Sequence, residues 1–466
     1  MTKDNSHDLV MIGAGQAAIP LAHALAGAGM RVCLVERKHL GGSCINFGCT
    51  PTKAALASAR VAYQARRAAT FGLRVPVVEV DFAGVLVRAK SIVQQSRRSI
   101  KRGFENSGQP HLIYGHARLE GRDEAGFLIR VEDRLLTAKQ VVLDTGTRSR
   151  IPTVEGIDKV KVITAGTWLD ETELPEHIVV IGSGSTGLEM SQFYRRMGSR
   201  VTVIDHNQQI AKDEDEDVAE VLQRSLAAEE IRFYLQTEVR QVKPDGNNLV
   251  LNLEGNAPTE IMASHLFVAT GRRPNTDDLG LETIGVEVTD KGFVTVDARL
   301  STNVQGIWAA GDVRGGPMYT HTAWDDYRVL ESQIAGDGAR TTERIVPYAF
   351  FTDPELGRVG LTEREARRSG KRIKVGRYDM KKNGRAAELG DTDGFIKVVV
   401  DADTDRILGA AALAAGGAEL IHTIIGVMNA RAAVATIRNA IHIHPTLSEA
   451  VQSAVYSIKA DEVKNN

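Results

Sequence analysis

One pattern occurs twice in this chain and leaves little freedom in what the chain can fold into. Leu9-Val-Met-Ile-Gly13-Ala-Gly15-Gln-Ala-Ala18 is an apolar strand running into a glycine turn. The helical stretch Ile19–Ala28 follows, Gly29 stops it, and a second apolar strand, Arg31–Val35, ends on Glu36. Far along the chain, Ile178-Val-Val-Ile-Gly182-Ser-Gly184-Ser-Thr-Gly187 repeats the strand and turn. Helix Leu188–Met197, a stop at Gly198 and strand Val201–Ile204 then end on Asp205. First glycine and terminal acid are 23 positions apart in both copies.

Physics accounts for the spacing. The first glycine makes the tight turn, the second lets backbone N–H groups approach a pyrophosphate, and the third packs helix on strand. The helix N-terminus adds partial positive charge, and the terminal acid accepts ribose hydroxyls. Ala18 takes the third place in the first copy, a substitution this pattern tolerates. A single such pattern is a weak signal, whereas two copies in full strand–turn–helix–strand–acid context are a strong one. Two sites imply two dinucleotides and a hydride relay. Asp205 is followed by His206-Asn-Gln-Gln209, with only Lys212 nearby and no arginine to receive a 2′-phosphate, so NAD(H) is favoured over NADP(H). The acidic run Asp213–Asp217 reads as a solvated helix start rather than a metal site.

At roughly 100–200 residues per domain, the 466 residues divide into several domains. Lys+Arg 57 against Asp+Glu 59 leaves a net charge of −2, which excludes a strong field for nucleic acid or an anionic membrane. The stretch 1–8 is polar, unlike a signal peptide, and Ala410–Val427 is interrupted by Glu419 and His422 and reads as core. Three cysteines cannot make a disulfide framework, so a reducing, cytoplasmic setting is expected. Many of the 44 glycines serve the two nucleotide turns.

Two of the cysteines stand out in Gly41-Gly42-Ser43-Cys44-Ile-Asn-Phe-Gly48-Cys49-Thr50-Pro51-Thr52-Lys53. Thr50 reads as a helix N-cap and Pro51 as the first helical residue, with Ala54–Ala69 continuing the helix. Cys49 then lies at a helix N-terminus, where the dipole favours thiolate. A disulfide needs Cα atoms within about 6.8 Å, whereas five residues of regular helix rise about 7.5 Å. The pair can close only if the segment is distorted, which Gly48 permits. Zinc is the rival reading, but it wants four ligands and no second cysteine pair exists. Cys33, inside an apolar strand, reads as core. No metal site is expected.

Gly-Gly-Ser-Cys44-x4-Cys49-x3-Lys53 resembles the active-site signature of the class I pyridine nucleotide–disulfide oxidoreductases. The likeness extends along nearly the whole chain. Ala269-Thr-Gly271-Arg-Arg-Pro-Asn275 resembles the segment closing the NAD domain, and Ile307-Trp-Ala-Ala-Gly311-Asp312 the second FAD motif. Thr352-Asp-Pro-Glu-Leu-Gly-Arg-Val-Gly360 resembles the opening of the dimerisation domain, and His444-Pro-Thr-Leu-Ser-Glu449 the catalytic base segment.

The resemblance implies an FAD-containing homodimer of α/β class, with two Rossmann-like dinucleotide domains and a C-terminal α+β dimerisation domain. It divides the chain into residues 1–150 and 274–345 for FAD, 151–273 for NAD(P) and 346–466 for the interface. Cys44 becomes the interchange thiol and Cys49 the thiol beside the flavin, with Lys53 near the flavin and paired to Glu189. Gly13, Gly15, Glu36, Gly42, Ser43, Ala117, Gly146 and Asp312 fall to FAD. Gly182, Gly184, Gly187, Asp205 and Gly271 fall to the nicotinamide nucleotide. His444 becomes the acid–base, oriented by Glu449 and donated across the dimer interface. By position alone, Glu189 also reads as an ordinary helix carboxylate and Glu449 as half of a Thr446-x-x-Glu449 capping box. His442 reads as structural.

The C-terminal part, including Asp401–Gly409 and His442–Glu449, looks like dihydrolipoamide dehydrogenase. Its tail 457–466 lacks the vicinal cysteines of mercuric reductases. However, His321-Thr-Ala-Trp324-Asp-Asp-Tyr-Arg328 looks more like the mercuric-reductase-like and reactive-chlorine branch. Asp144 stands where the family usually has a small residue before Thr145-Gly146. A lipoyl-type or other small disulfide/dithiol substrate is therefore expected. Copper or mercuric ion is the alternative, and a redox-sensing flavoprotein is the non-enzyme one.

Overall fold

A computed structural model describes residues 5–460 of the chain. The start of the polar stretch 1–8 and the end of the cysteine-free tail 457–466 lie outside them. The first unit is a sheet in which strands β1 (Ser6–Ile12), β2 (Val32–Glu36), β3 (His111–Tyr114), β4 (Ala117–Asp123), β5 (Gly126–Val131) and β6 (Arg134–Leu143) lie in the order β3-β2-β1-β6-β5-β4. β1, β2, β3 and β6 run parallel, and strand Ile307–Ala309 adds to β6 from far along the chain. Almost every residue of β1 and β2 is buried, as a parallel sheet covered on both faces requires. Helix α1 (Ala18–Gly27) crosses from β1 to β2, and Gly29 ends it at a φ of 88°.

The second unit repeats this plan. Strand His177–Ile181, helix α5 (Ser185–Met197) and strand Arg200–Ile204 form its nucleus. Its five strands are all parallel, with His177–Ile181 between Arg200–Ile204 and His265–Val268. The turns are held alike: the Gly13 N–H donates to the Val35 carbonyl at 2.8 Å, and the Gly182 N–H donates to that of Ile204 at 2.9 Å. The third unit is an antiparallel sheet including Glu355–Gly360, Ile407–Ala414, Phe395–Asp401 and Ile373–Asp379. Helices Gly417–Asn429 and Glu449–Tyr456 pack on it. The Ala410–Val427 stretch is split between that sheet and helix and lies mostly in the core, as its composition indicated. No described helix is long and apolar enough to cross a membrane.

Two expectations are corrected. Helix α3 (Cys49–Arg66) begins at Cys49, capped by Gly48, and not at Pro51. Pro51 still fits, because the first four helical N–H groups lack partners in any case and a proline there loses nothing. The acidic run is not a solvated helix start. Glu214 and Asp215 are buried, because Arg358, only 1% exposed, comes from the third unit to pair with both. Lys397 adds pairs to Asp215 at 2.9 Å and Asp217 at 2.7 Å. The run does open helix α6 (Glu216–Ala228), with Glu216 and Asp217 in its first turn, but it joins the second unit to the third instead of standing in solvent.

Candidate active site

The cysteine segment is a broken helix. Helix α2 (Gly42–Asn46) carries Cys44 and ends at Phe47, and Gly48 then turns the chain into α3. The N–H groups of Phe47 and Gly48 both donate to the Ser43 carbonyl, at 2.9 and 2.7 Å. A Cβ on Gly48 would stand 3.2 Å from that same oxygen, tighter than an ordinary contact, which favours glycine there. This break supplies the distortion that a regular helix lacks, and it brings the two thiols close enough to shift each other's acidity. The segment is also stitched to the first glycine turn. Gly41 N–H donates to the Ala14 carbonyl at 2.9 Å, Gln16 Nε2 donates to that of Gly41 at 2.9 Å, and a Cβ on Gly42 would lie 3.0 Å from Gly15 Cα. The thiols are thereby anchored at the mouth of the first nucleotide unit.

The two thiols are unequal. The hydrogen bond from Cys44 pushes the Cys49 thiol down, Thr320 and the Lys53 charge assist, and burial opposes. Cys44 is pushed up by the same bond and by burial. Cys49 Sγ lies 3.2 Å from Thr320 Oγ1, at the first residue of helix α7 (Thr320–Ala335), whose dipole also favours a thiolate. Lys53 Nζ lies 2.8 Å from the Glu189 carboxylate and 4.5 Å from the centre of the Phe351 ring. Glu189 is buried and also accepts the Phe351 N–H at 2.9 Å. Cys33 stands apart: burial pushes its thiol up to about 12.

The nucleotide residues fall at the two turns. Glu36 accepts the Ala14 N–H at 2.9 Å and those of Lys38 and His39 at 2.7 and 3.1 Å. Asp205 accepts from the Ser183 N–H and hydroxyl at 2.7 and 2.6 Å, and from the Asn207 backbone and side-chain amides at 2.9 and 2.6 Å. Space is open beside Gly184 and Gly271, so an anion can reach the start of α5. Gly187 has no such room: a Cβ there would lie 2.0 Å from the Gly182 carbonyl oxygen, the close packing its place in the pattern demands. Asp312 accepts the Thr147 hydroxyl at 2.9 Å, close to the Gly146 turn at φ 65°. Ser43 is exposed on α2, and Ala117 is buried at the start of β4. Donors, acids and open turns of this kind fit two dinucleotides.

His444 is not brought to the thiols within one chain. Its side chain is 79% exposed, and Nδ1 lies 3.0 Å from Glu449 Oε1. Glu449 also accepts the Thr446 N–H at 2.9 Å, but the capping box does not close: the helix starts at Glu449 with Ser448 as its cap, and the Thr446 hydroxyl donates to the Ile443 carbonyl. The Thr446 and His444 bonds hold its carboxyl below the usual range. Thr320 and Phe351 were not found from sequence. Thr320 and Cys49 are 271 residues apart, and nothing local in either segment announces the contact.

The sequence profile described as pyridine nucleotide-disulphide oxidoreductase matches residues 7–326, and the profile of that family's dimerisation domain matches residues 346–455. The chain belongs to the pyridine nucleotide-disulphide oxidoreductase family. It is an FAD-dependent disulfide oxidoreductase that uses a pyridine nucleotide. Dihydrolipoyl dehydrogenase of Cupriavidus necator is 34% identical over 465 residues, covering 97% of this chain and 98% of that protein. Leghemoglobin reductase of Vigna unguiculata is 32% identical over 456 residues, covering 97% and 87%. Among solved structures, the Cu(II) complex of the HOCl-induced flavoprotein disulfide reductase RclA from Escherichia coli superposes with a TM-score of 0.89 at 30% identity. That superposition covers 98% of this chain and 100% of that one. LpdA of Mycobacterium tuberculosis gives 0.88 at 25% identity, covering 96% and 98%.

Proposed function

We propose that this enzyme passes electron pairs between NAD(H) and a lipoyl-type or other small disulfide/dithiol substrate through Cys44 and Cys49. The observation that carries this reading is the unequal thiol pair, one thiolate-prone and one proton-holding, at the mouth of the first nucleotide unit. Bound FAD would supply two-electron transfer between the nicotinamide and the thiol pair. Residues 1–150 and 274–345 would hold it, through Gly13, Gly15, Glu36 and Asp312 above all. Residues 151–273 would hold the nicotinamide nucleotide, and residues 346–466 would form the interface of a homodimer.

In the reductive direction, Cys44 loses its proton to a base and its sulfur attacks the substrate disulfide. A mixed disulfide forms, and one substrate thiolate leaves and takes up a proton. Cys49 thiolate then attacks Cys44 Sγ, closing the Cys44–Cys49 disulfide and releasing the second substrate thiolate. Cys49 needs no base for this step, because its environment already favours the anion. Cys44 does need one. His444, held in a fixed orientation by Glu449, suits that task when supplied by the second subunit, as in the family.

Asp205 favours NAD(H). Its carboxylate oxygens already take four hydrogen bonds from Ser183 and Asn207, so it acts on nucleotide choice through charge, which repels a 2′-phosphate. A second reading takes Cu(II) as the oxidised substrate, favoured by the likeness to RclA in its Cu(II) complex. Among the described residues no group of three or more His, Cys, Asp and Glu is placed to hold a metal ion. The deciding experiment is Cys44→Ser assayed with lipoamide-like disulfides and with Cu(II). Turnover on disulfides is expected to vanish while flavin stays bound, and full disulfide activity in the variant would end this reading.

A further inference from the structure

The two nucleotide units differ at one buried position. The Asp144 N–H donates to the Ile12 carbonyl at 2.9 Å, and the Ala269 N–H donates to the Ile181 carbonyl at 2.8 Å. A Cβ on Gly13 would meet the Asp144 oxygen at 2.3 Å, and one on Gly182 would meet the Ala269 oxygen at 2.5 Å. Asp144 and Ala269 therefore occupy one place in the repeat, at the end of the central strand beneath the glycine turn. In the second unit that place holds only a methyl group.

In the first unit it holds a carboxyl, buried and built into the turn. Its Oδ2 accepts the Ala18 N–H at 2.8 Å, and Ala18 is the counterpart of Gly187. A Cβ on Gly15 would stand 2.6 Å from Oδ2, and one on Gly311 would stand 2.8 Å from Oδ1, so both chains rest directly on this group. Gly15 belongs to the first glycine turn, and Gly311 to the segment that ends on Asp312.

The charges around it are acidic or already engaged. Asp312 is paired with Thr147 and lies 3.6 Å from Arg272 Nε. Asp326, fully buried on α7, takes the Gly311 N–H at 2.8 Å, Arg314 Nε at 2.9 Å and the Arg344 guanidinium. Burial, with these two carboxylates nearby, holds Asp144 well above the ordinary carboxylate range, against the pull of the α1 backbone amides. An anion at this point would oppose a pyrophosphate arriving at the same helix N-terminus, whereas a neutral acid would not.

We propose that Asp144 is a positioning residue for FAD, its buried carboxyl fixing the start of α1 and the Gly311 segment in the spacing the cofactor needs. The inference rests on the assignment of FAD to the first unit. It is tested on purified holoenzyme by following FAD release through recovery of flavin fluorescence, alongside the NADH dissociation constant and the flavin midpoint potential. Asp144→Ala removes the acceptor of a buried N–H and opens a void beneath two chains, and is expected to weaken FAD binding about tenfold or more. Asp144→Asn keeps an acceptor oxygen and no charge, and is expected to stay within about threefold of the parent with an unchanged midpoint potential at pH 7. NADH binding should be unchanged in both. Parental FAD affinity in Asp144→Ala, or equal loss of FAD and NADH, would overturn the proposal. If Asp144→Ala does not fold, Asp144→Leu, which fills the space without an acceptor, decides: parental FAD affinity there, or equal loss of FAD and NADH, would overturn the proposal. A parent protein purified without flavin would instead overturn the FAD assignment itself.

Discussion

The Lys53 ammonium and the Glu189 carboxylate meet at 2.8 Å and join the cysteine helix to the first helix of the second nucleotide unit. Glu189 is 5% exposed at its side chain and Lys53 33%, so the carboxylate has little water to fall back on. Removing the lysine leaves a buried anion, and removing the acid frees the lysine to move away from its place over Phe351. Lys53→Met is expected to slow flavin reduction by NADH by about tenfold or more, through loss of a cation that stabilises developing negative charge. Lys53→Arg should recover part of that rate. Stopped-flow reduction of the parent, both lysine variants and Glu189→Gln checks this, and a Lys53→Met rate equal to the parent's would remove the lysine from the electron path.

The Cys49 thiol is depressed first by the Cys44 hydrogen bond and then by Thr320 and Lys53. Its thiolate is therefore present above the lowered pKa and disappears only as pH falls through it, below the midpoint of a free thiol at about 8.5. Ultraviolet thiolate absorbance of the reduced protein across about pH 5–9 should show one early midpoint. Thr320→Val should move it upward and Thr320→Ser should restore it. An unmoved midpoint in Thr320→Val would show that the hydroxyl contributes nothing to the anion.

Much of the fold was legible because its signals are local. The paired strand–turn–helix units follow from glycine positions and apolar runs within about 30 residues. The same holds for the cysteine segment, where the spacing already demanded the break that Gly48 supplies. What escaped was set by distant partners. The acidic run could not reveal that Arg358, 144 residues away from Glu214, would be buried against it. Breaking that pair tests the correction. Glu214→Gln leaves the buried guanidinium with only the more distant Asp215 carboxylate, at 3.6 Å, and should destabilise the protein by up to about 3–5 kcal/mol, read as a lowered denaturation midpoint. A solvated run would give a change within about 0.5 kcal/mol.

Nucleotide choice at Asp205 depends on charge more than on free acceptor positions. Asp205→Asn keeps one acceptor oxygen for the Asn207 amides, sets an NH2 against the Ser183 N–H, and removes the repulsion of a 2′-phosphate. The ratio of kcat/KM for NADH over NADPH should fall by about tenfold, as one unscreened charge contact of ~1.4 kcal/mol implies. An unchanged ratio would place the discrimination elsewhere on the second unit.

His444 and Glu449 make the last case, because their geometry is complete while their target is not within the chain. Glu449 holds the Thr446 N–H with one oxygen and the His444 ring with the other, so it fixes both the loop and the imidazole. Its carboxyl is held below the usual range by these bonds, so it stays ionised as pH falls and loses its grip on the ring only at strongly acidic pH. Glu449→Gln keeps one acceptor oxygen, for the Thr446 N–H, turns an NH2 toward the His444 ring, and removes the carboxylate charge beside it. The kcat for disulfide reduction should then fall about tenfold, with flavin reduction by NADH untouched. His444→Ala should lose disulfide turnover by about 10²–10⁴-fold, the usual worth of a positioned acid–base. Mixing His444→Ala with Cys44→Ser chains discriminates the geometry. If the histidine serves the second subunit's thiols, mixed dimers contain one intact site assembled from both chains and regain activity. If activity stays absent in the mixture, the histidine serves its own chain and the cross-subunit assignment fails.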